Sequence, residues 1–214
     1  MTDLLTPLQG KRVGVLALQG DVREHVSMLE RLGAEVVRVR RPEEFATVGG
    51  LVIPGGESSV IDKLTRIFGL REPIRDAIAE GMPMLGTCAG LIMLADTITD
   101  AIDGQQTFGG IDVVVRRNAF GRQVESFEAS LDVPALGPEP VRATFIRGPV
   151  VETVGSDATE LAALADGRVV AVEQGNLLGI SFHPELDGET RFHRRFLKRV
   201  AEQSALIGQR IPSR

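Results

Sequence analysis

The chain has 214 residues, 43% hydrophobic and 25% charged, enough to enclose one well-buried core as a single domain over 1–214, whereas a second domain would be cramped. A net charge of −5 with a pI near 5.3 leaves no global basic field for nucleic acid or an anionic membrane surface. The single cysteine excludes an internal disulfide and points to a reducing, cytoplasmic setting; the N-terminal residues lack a secretory core, and no apolar run is long enough to span a bilayer.

Past residues 1–12, expected to be loose, residues 13–18 form an apolar run of the kind a strand covered on both faces needs. Asp21 can cap a helix with Val22, Val26 and Leu29 on one face, Gly33 closes it, and residues 35–39 make a second strand. Pro42 opens a short helical turn, and residues 51–53 form a third strand that runs into Pro54-Gly55-Gly56-Glu57-Ser58-Ser59. A loop directly after a buried strand lies at the carboxyl edge of the sheet, where such folds bind ligands. Helices are expected over 60–68 and 72–80, then strand, turn and helix around Cys88.

Four alternations of strand and helix predict an α/β fold: three layers, with a mostly parallel central sheet flanked by helices. Beyond Asp96 the apolar runs shorten and are separated by Gly, Pro and Asn, predicting added strands over 111–115, 124–131, 143–146, 169–172 and 177–182. The last two form the best hairpin. A final helix is expected over 189–206, with Phe192, Phe196 and Val200 inward and Arg194, Arg195, Lys198 and Arg199 on a solvated face; residues 208–214 read as a frayed tail.

Chemistry concentrates at Gly86-Thr87-Cys88-Ala89-Gly90. The pattern fits a nucleophile elbow, in which a reactive side chain sits on a strained strand-to-helix turn between small neighbours. Half-ionising a free thiol at neutral pH takes about 2 kcal/mol, and a helix N-terminus supplies only ~0.3–1 kcal/mol, so a histidine should stand nearby. Of the three histidines, His25 and His193 lie in amphipathic helical patterns and read as surface residues. His183 instead ends an apolar strand with Glu185 two positions on, on the same side if the segment is extended. Cys88, His183 and Glu185 therefore read as nucleophile, base and orienter. The oxyanion donors would be the backbone N–H of Ala89 and one from Gly55-Gly56, with Gly56 the candidate.

These motifs resemble the class I, or triad, glutamine amidotransferases, which have a flavodoxin-like architecture. Within them, Leu18-Gln19-Gly20-Asp21-Val22-Arg23-Glu24-His25, Pro54-Gly55-Gly56-Glu57-Ser58-Ser59, residues 117–123, Phe145-Ile146-Arg147-Gly148-Pro149 and Ser181-Phe182-His183-Pro184-Glu185-Leu186 are similar to the glutaminase subunits of the two-part pyridoxal 5′-phosphate synthases. The resemblance covers about residues 13–200. Ser59 and Gly148 stand where threonine and alanine are common. It implies Cys88, His183 and Glu185 as the triad, and Gly56, Glu57, Ser58, Arg117, Ile146 and Arg147 as the lining of an L-glutamine pocket. It further implies ammonia transfer to a separate synthase subunit in a hetero-oligomer, with no metal or cofactor and with neither nucleic acid nor membrane as partner. Two rival readings remain: a glutaminase of another amidotransferase or a γ-glutamyl hydrolase, disfavoured by the 117–123 and 145–149 segments, and a non-catalytic regulatory subunit, disfavoured by the intact triad.

Overall fold

The computed structural model describes residues 12–117 and 126–210. Its centre is a parallel array of five strands in the order β2-β1-β3-β4-β12: β1 (Arg12–Leu16), β2 (Glu35–Val39), β3 (Leu51–Ile53), β4 (Met84–Thr87) and β12 (Leu177–Ile180). Helices α1 (Val22–Arg31) and α7 (Arg191–Arg210) cover one face. Val13, Val15, Val52, Leu85 and Ile180 pack there against Val26, Leu29, Phe192 and Phe196. The other face carries α2 (Pro42–Phe45), α3 (Ser58–Ile67), α4 (Arg71–Ala79) and α5 (Ala89–Leu94), with Leu16, Leu51, Ile53 and Met84 packed against Ile61, Ile74 and Leu91. Alternate residues of a strand point to opposite faces, so a strand buried on both sides must be apolar throughout. The three strand residues Leu51, Val52 and Ile53 are all fully buried for this reason.

From β12 the sheet continues through β11 (Val169–Gln174), β9 (Val150–Val154), β6 (Ile111–Arg116) and β5 (Ala95–Thr99), with β10 (Thr159–Ala163) also paired to β11. The expected hairpin is the antiparallel β11–β12 pair, closed where Gln174 faces Leu177. Strands β7 (Phe127–Leu131) and β8 (Val141–Phe145) form a separate antiparallel ribbon. Strands β5, β9 and β10 were not expected. Each is short and carries charged or threonine residues, which blur the apolar signal of a strand.

Helix α7 continues through Gly208 to Arg210, past the expected tail. One interior glycine costs about 1 kcal/mol, too little to stop a helix already anchored by packing upstream. Nor is its basic face simply solvated: Arg195 and Arg199 both bond Glu173 of β11. Among the described residues no helix is long and apolar enough to cross a membrane.

Candidate active site

The expected strand, turn and helix around Cys88 is present as β4, Cys88 and α5. Cys88 has φ 50° and ψ −104°, a left-sided conformation that costs a non-glycine residue about 1–3 kcal/mol and persists only where the surroundings enforce it. They do so here: its N–H donates to Ile180 O at 2.8 Å, and Gly90 packs so closely under β3 that a Cβ would lie 2.1 Å from Ile53 O. The thiol is buried.

His183 is set by β8, because its N–H donates to Thr144 O at 3.0 Å, and Pro184 then opens α6 (Pro184–Asp187). Nδ1 of His183 is 2.8 Å from Glu185 Oε1, both residues being buried. The pairing was anticipated, but its geometry was not. Glu185 lies in the first turn of α6 rather than in an extended segment, since Pro184 is preorganised for that position. The Cys88 thiol interacts with the same imidazole and favours its protonated form.

A second carboxylate also reaches it. Asp21 stands at the N-cap of α1 as expected, but its side chain makes no capping bond there; its Oδ2 lies 3.4 Å from His183 Nδ1. Burial opposes an imidazolium here, yet hydrogen bonds with Asp21, Cys88 and Glu185 outweigh it and push His183 above the ordinary imidazole value. Burial raises the Glu185 carboxyl, against the pull of His183. The ligand atoms of Asp21, His183 and Glu185 lie within 4.8 Å of one another, a spacing a cation could use. The Nδ1 on which they converge is the imidazole position bonded by Glu185, so the cluster is built to hold a proton.

The Gly55-Gly56 loop closes over the histidine. A Cβ on Gly55 would lie 2.4 Å from His183 Cε1, so glycine lets the backbone ride on the ring. Beside it, Gln19 Oε1 accepts the N–H of Glu57 at 2.8 Å. Ala89 follows Cys88 as the first residue of α5.

Glu57, Ser58 and Arg117 form one cluster. Arg117 donates to Glu57 Oε1 at 2.6 Å and to Gln105 Oε1 at 2.7 Å, while Gln105 Nε2 donates to Ser58 Oγ at 2.9 Å. Ile146 and Arg147 are exposed in the bend after β8, just past the Thr144 carbonyl that holds His183, and are not hydrogen-bonded to that cluster among the described residues. Positions 118–123 lie outside the described residues.

Sequence reasoning missed four participants: Asp21, Gln105 and the two histidines assigned to the surface. His25 and His193 are both fully buried. His25 Nδ1 is 2.9 Å from His193 Nε2, and His25 Nε2 is 3.0 Å from Thr87 Oγ1 and 3.6 Å from Glu185 Oε1. Burial, then the neighbouring His193 and His183, hold His25 well below the ordinary imidazole value; burial draws His193 down to about 4. Helix periodicity marked His25 as polar beside Val26, but α1 turns that side toward the sheet end where α6 and α7 meet it.

The fold and the site together define a class. A crystal structure described as that of a glutamine amidotransferase matches with a TM-score of 0.82 and 46% identity, covering 88% of this chain and 98% of that one. The structure of PurLQS from Thermotoga maritima shares the fold alone, with a TM-score of 0.66 at 18% identity over 90% of this chain and 99% of that one. The sequence pattern of the SNO glutamine amidotransferase family matches residues 15–202, and the chain belongs to that family. Relatives include the pyridoxal 5′-phosphate synthase subunit PdxT of Leifsonia xyli subsp. xyli, 68% identical over 189 residues that cover 88% of this chain and 96% of that one. The subunit of the same name from Streptomyces avermitilis is 58% identical over 188 residues, covering 88% and 93% respectively.

Proposed function

We propose that this chain is a glutaminase that hydrolyses L-glutamine to L-glutamate and ammonia, and that it passes the ammonia to a synthase subunit assembling pyridoxal 5′-phosphate in the cytoplasm. The observation that carries the chemistry is the buried line of Cys88, His183 and Glu185 at the strained elbow. Cys88 gives its proton to His183, and the resulting ion pair is supported by Glu185 and Asp21. The thiolate attacks the side-chain amide carbon of glutamine, and backbone N–H groups at Ala89 and Gly56 stabilise the oxyanion. His183 protonates the departing nitrogen, releasing ammonia and leaving a γ-glutamyl thioester. Its neutral imidazole then takes a proton from water, the hydroxide displaces the thiolate, and glutamate leaves.

Glutamine brings an α-carboxylate and an α-ammonium, which calls for both charges at the mouth of the pocket. Arg117 and Glu57 supply them, held 2.6 Å apart with Ser58 alongside through Gln105. Ile146 and Arg147 complete the lining from the β8 bend. The pathway assignment rests on the relatives named as pyridoxal 5′-phosphate synthase subunits.

The test is glutamate release from L-glutamine by the purified chain, alone and with a matching synthase subunit, beside Cys88→Ala. Turnover that needs Cys88 and rises with the synthase is expected. Cys88-dependent turnover indifferent to that subunit would leave the hydrolysis standing and remove the pathway, and full turnover by Cys88→Ala would remove the triad.

A further inference from the structure

The proposed route leaves one buried polar cluster unused: the two histidines packed behind the triad. His25 comes from α1 and His193 from α7, and neither has any solvent exposure. Burying two imidazoles in an apolar layer is costly unless their nitrogens are engaged. Three of the four are engaged: His25 Nδ1 and His193 Nε2 meet each other at 2.9 Å, and His25 Nε2 meets Thr87 Oγ1 at 3.0 Å. The fourth, His193 Nδ1, has no hydrogen-bond partner among the described residues.

That pattern selects between two tautomeric chains. In one, His25 carries its proton on Nδ1 and donates to His193 Nε2. His193 must then bury an unpartnered N–H, and the bare Nε2 of His25 points its lone pair at the Glu185 carboxylate 3.6 Å away. In the other, His193 donates from Nε2 to His25 Nδ1. The orphan atom becomes a bare acceptor, and His25 turns an N–H toward both Thr87 Oγ1 and Glu185. Orphaned buried N–H groups are rarer than under-satisfied acceptors, and a carboxylate is attracted by an N–H dipole and repelled by a lone pair. Both considerations favour the second chain.

The consequence is positional. Thr87 is the residue before Cys88 on the elbow, and Glu185 is the acid that orients His183. We propose that His25 is a positioning residue of this glutaminase, its Nε2–H joining the elbow at Thr87 to the carboxylate of Glu185, with His193 fixing the tautomer. The contact to Glu185 at 3.6 Å is an ion–dipole contact rather than a hydrogen bond. It faces an acid whose Oε2 has no hydrogen-bond partner among the described residues, so the carboxylate depends on few contacts for its orientation. The titratable groups around His25 are His193 on α7, and His183 and Glu185 at α6; Glu189 and Arg31 stand behind His193 with opposite charges.

This inference rests on the triad reading above, and the experiment separates the two. Glutamate release by the complex with the synthase subunit is measured as a function of pH for the wild type, His25→Leu, His25→Gln and Cys88→Ala, with melting curves as a check on folding. His25→Leu is expected to lose about 10–100-fold in kcat, the usual effect of removing an outer hydrogen-bonding partner, with KM within about threefold. The acid limb of its kcat/KM profile moves to higher pH, because losing the N–H dipole favours the protonated Glu185. His25→Gln, whose side-chain amide can place an N–H near the same point, recovers most of the loss.

A folded His25→Leu enzyme with unchanged kcat and an unmoved acid limb overturns the inference while leaving the triad intact. If that variant does not fold, nitrogen-15 shifts of the wild-type imidazole decide: an Nε2–H tautomer at His25 supports the assignment, and an Nδ1–H tautomer overturns it. Full turnover by Cys88→Ala would sink the triad reading itself, whatever His25 does.

Discussion

Replacing Gly55 by alanine probes how closely the loop over His183 must fit. Its φ is not in the positive region, so alanine is tolerated by the backbone and the effect is one of space alone. The new Cβ would sit 2.4 Å from His183 Cε1, 2.7 Å from Asp21 Oδ2 and 3.1 Å from His183 Nδ1. Carbon atoms in contact rest about 3.5–4.0 Å apart, so the ring or the loop must yield by about 1 Å. Moving a reacting group by that much costs on the order of 100-fold, or about 2.7 kcal/mol of barrier. Because Glu185 and Asp21 hold the ring and the Thr144 carbonyl holds the His183 backbone N–H, part of the strain also appears as about 1–3 kcal/mol of lost stability. The assay is steady-state glutamate release with the synthase present, kcat and KM separated, beside a urea melt. Gly49→Ala is the control, because its Cβ would meet nothing closer than Val200 Cγ1 at 3.7 Å. A Gly55→Ala protein that keeps kcat within about threefold would refute the reasoning, since the ring would then tolerate displacement.

Gly90→Ala should cost more in folding than in chemistry: a Cβ 2.1 Å from the Ile53 carbonyl meets backbone that cannot swing aside, and urea melts should show a loss of about 3 kcal/mol or failure to fold. Arg117→Lys gives up the fork that reaches Glu57 and Gln105 together, so KM for glutamine should rise about tenfold or more while kcat changes little; a matching fall in kcat would instead place Arg117 in the chemical step. His193, held down to about 4 from 6.5, binds a proton in the unfolded chain before it does in the folded one. Its contribution to stability is therefore complete above pH 6.5 and is lost as pH falls through about 4, amounting to roughly 3 kcal/mol. Urea melts from pH 7 to 4 should show a shallower loss for His193→Leu than for the wild type, and equal slopes would contradict the depressed value.

Much of this molecule was legible in one dimension because much of it is periodic. Residues 51–53 are apolar at every position, which only a strand covered on both faces requires, and the glycines around Cys88 marked a turn where chain must pass close to chain. The distal sheet was less legible: β5, β9 and β10 are short and part polar, so apolar alternation does not mark them, and β9 pairs with β6 some way back along the chain. At the site, Cys88, His183 and Glu185 could be named from residue type and spacing, but the helical turn that joins the last two could not.

Asp21 and the two buried histidines mark the boundary between the two kinds of information. By sequence, Asp21 is a helix cap, and His25 and His193 are polar positions on amphipathic helices. Local patterning fixed the helices themselves, because an apolar stripe needs only near neighbours to reveal it. Which polar residues of α1 and α7 face the Glu185 carboxylate depends instead on how those helices cross the sheet beside α6. Packing between elements remote in sequence makes that choice, turning Asp21 toward His183 and closing His25 and His193 away from water behind Glu185.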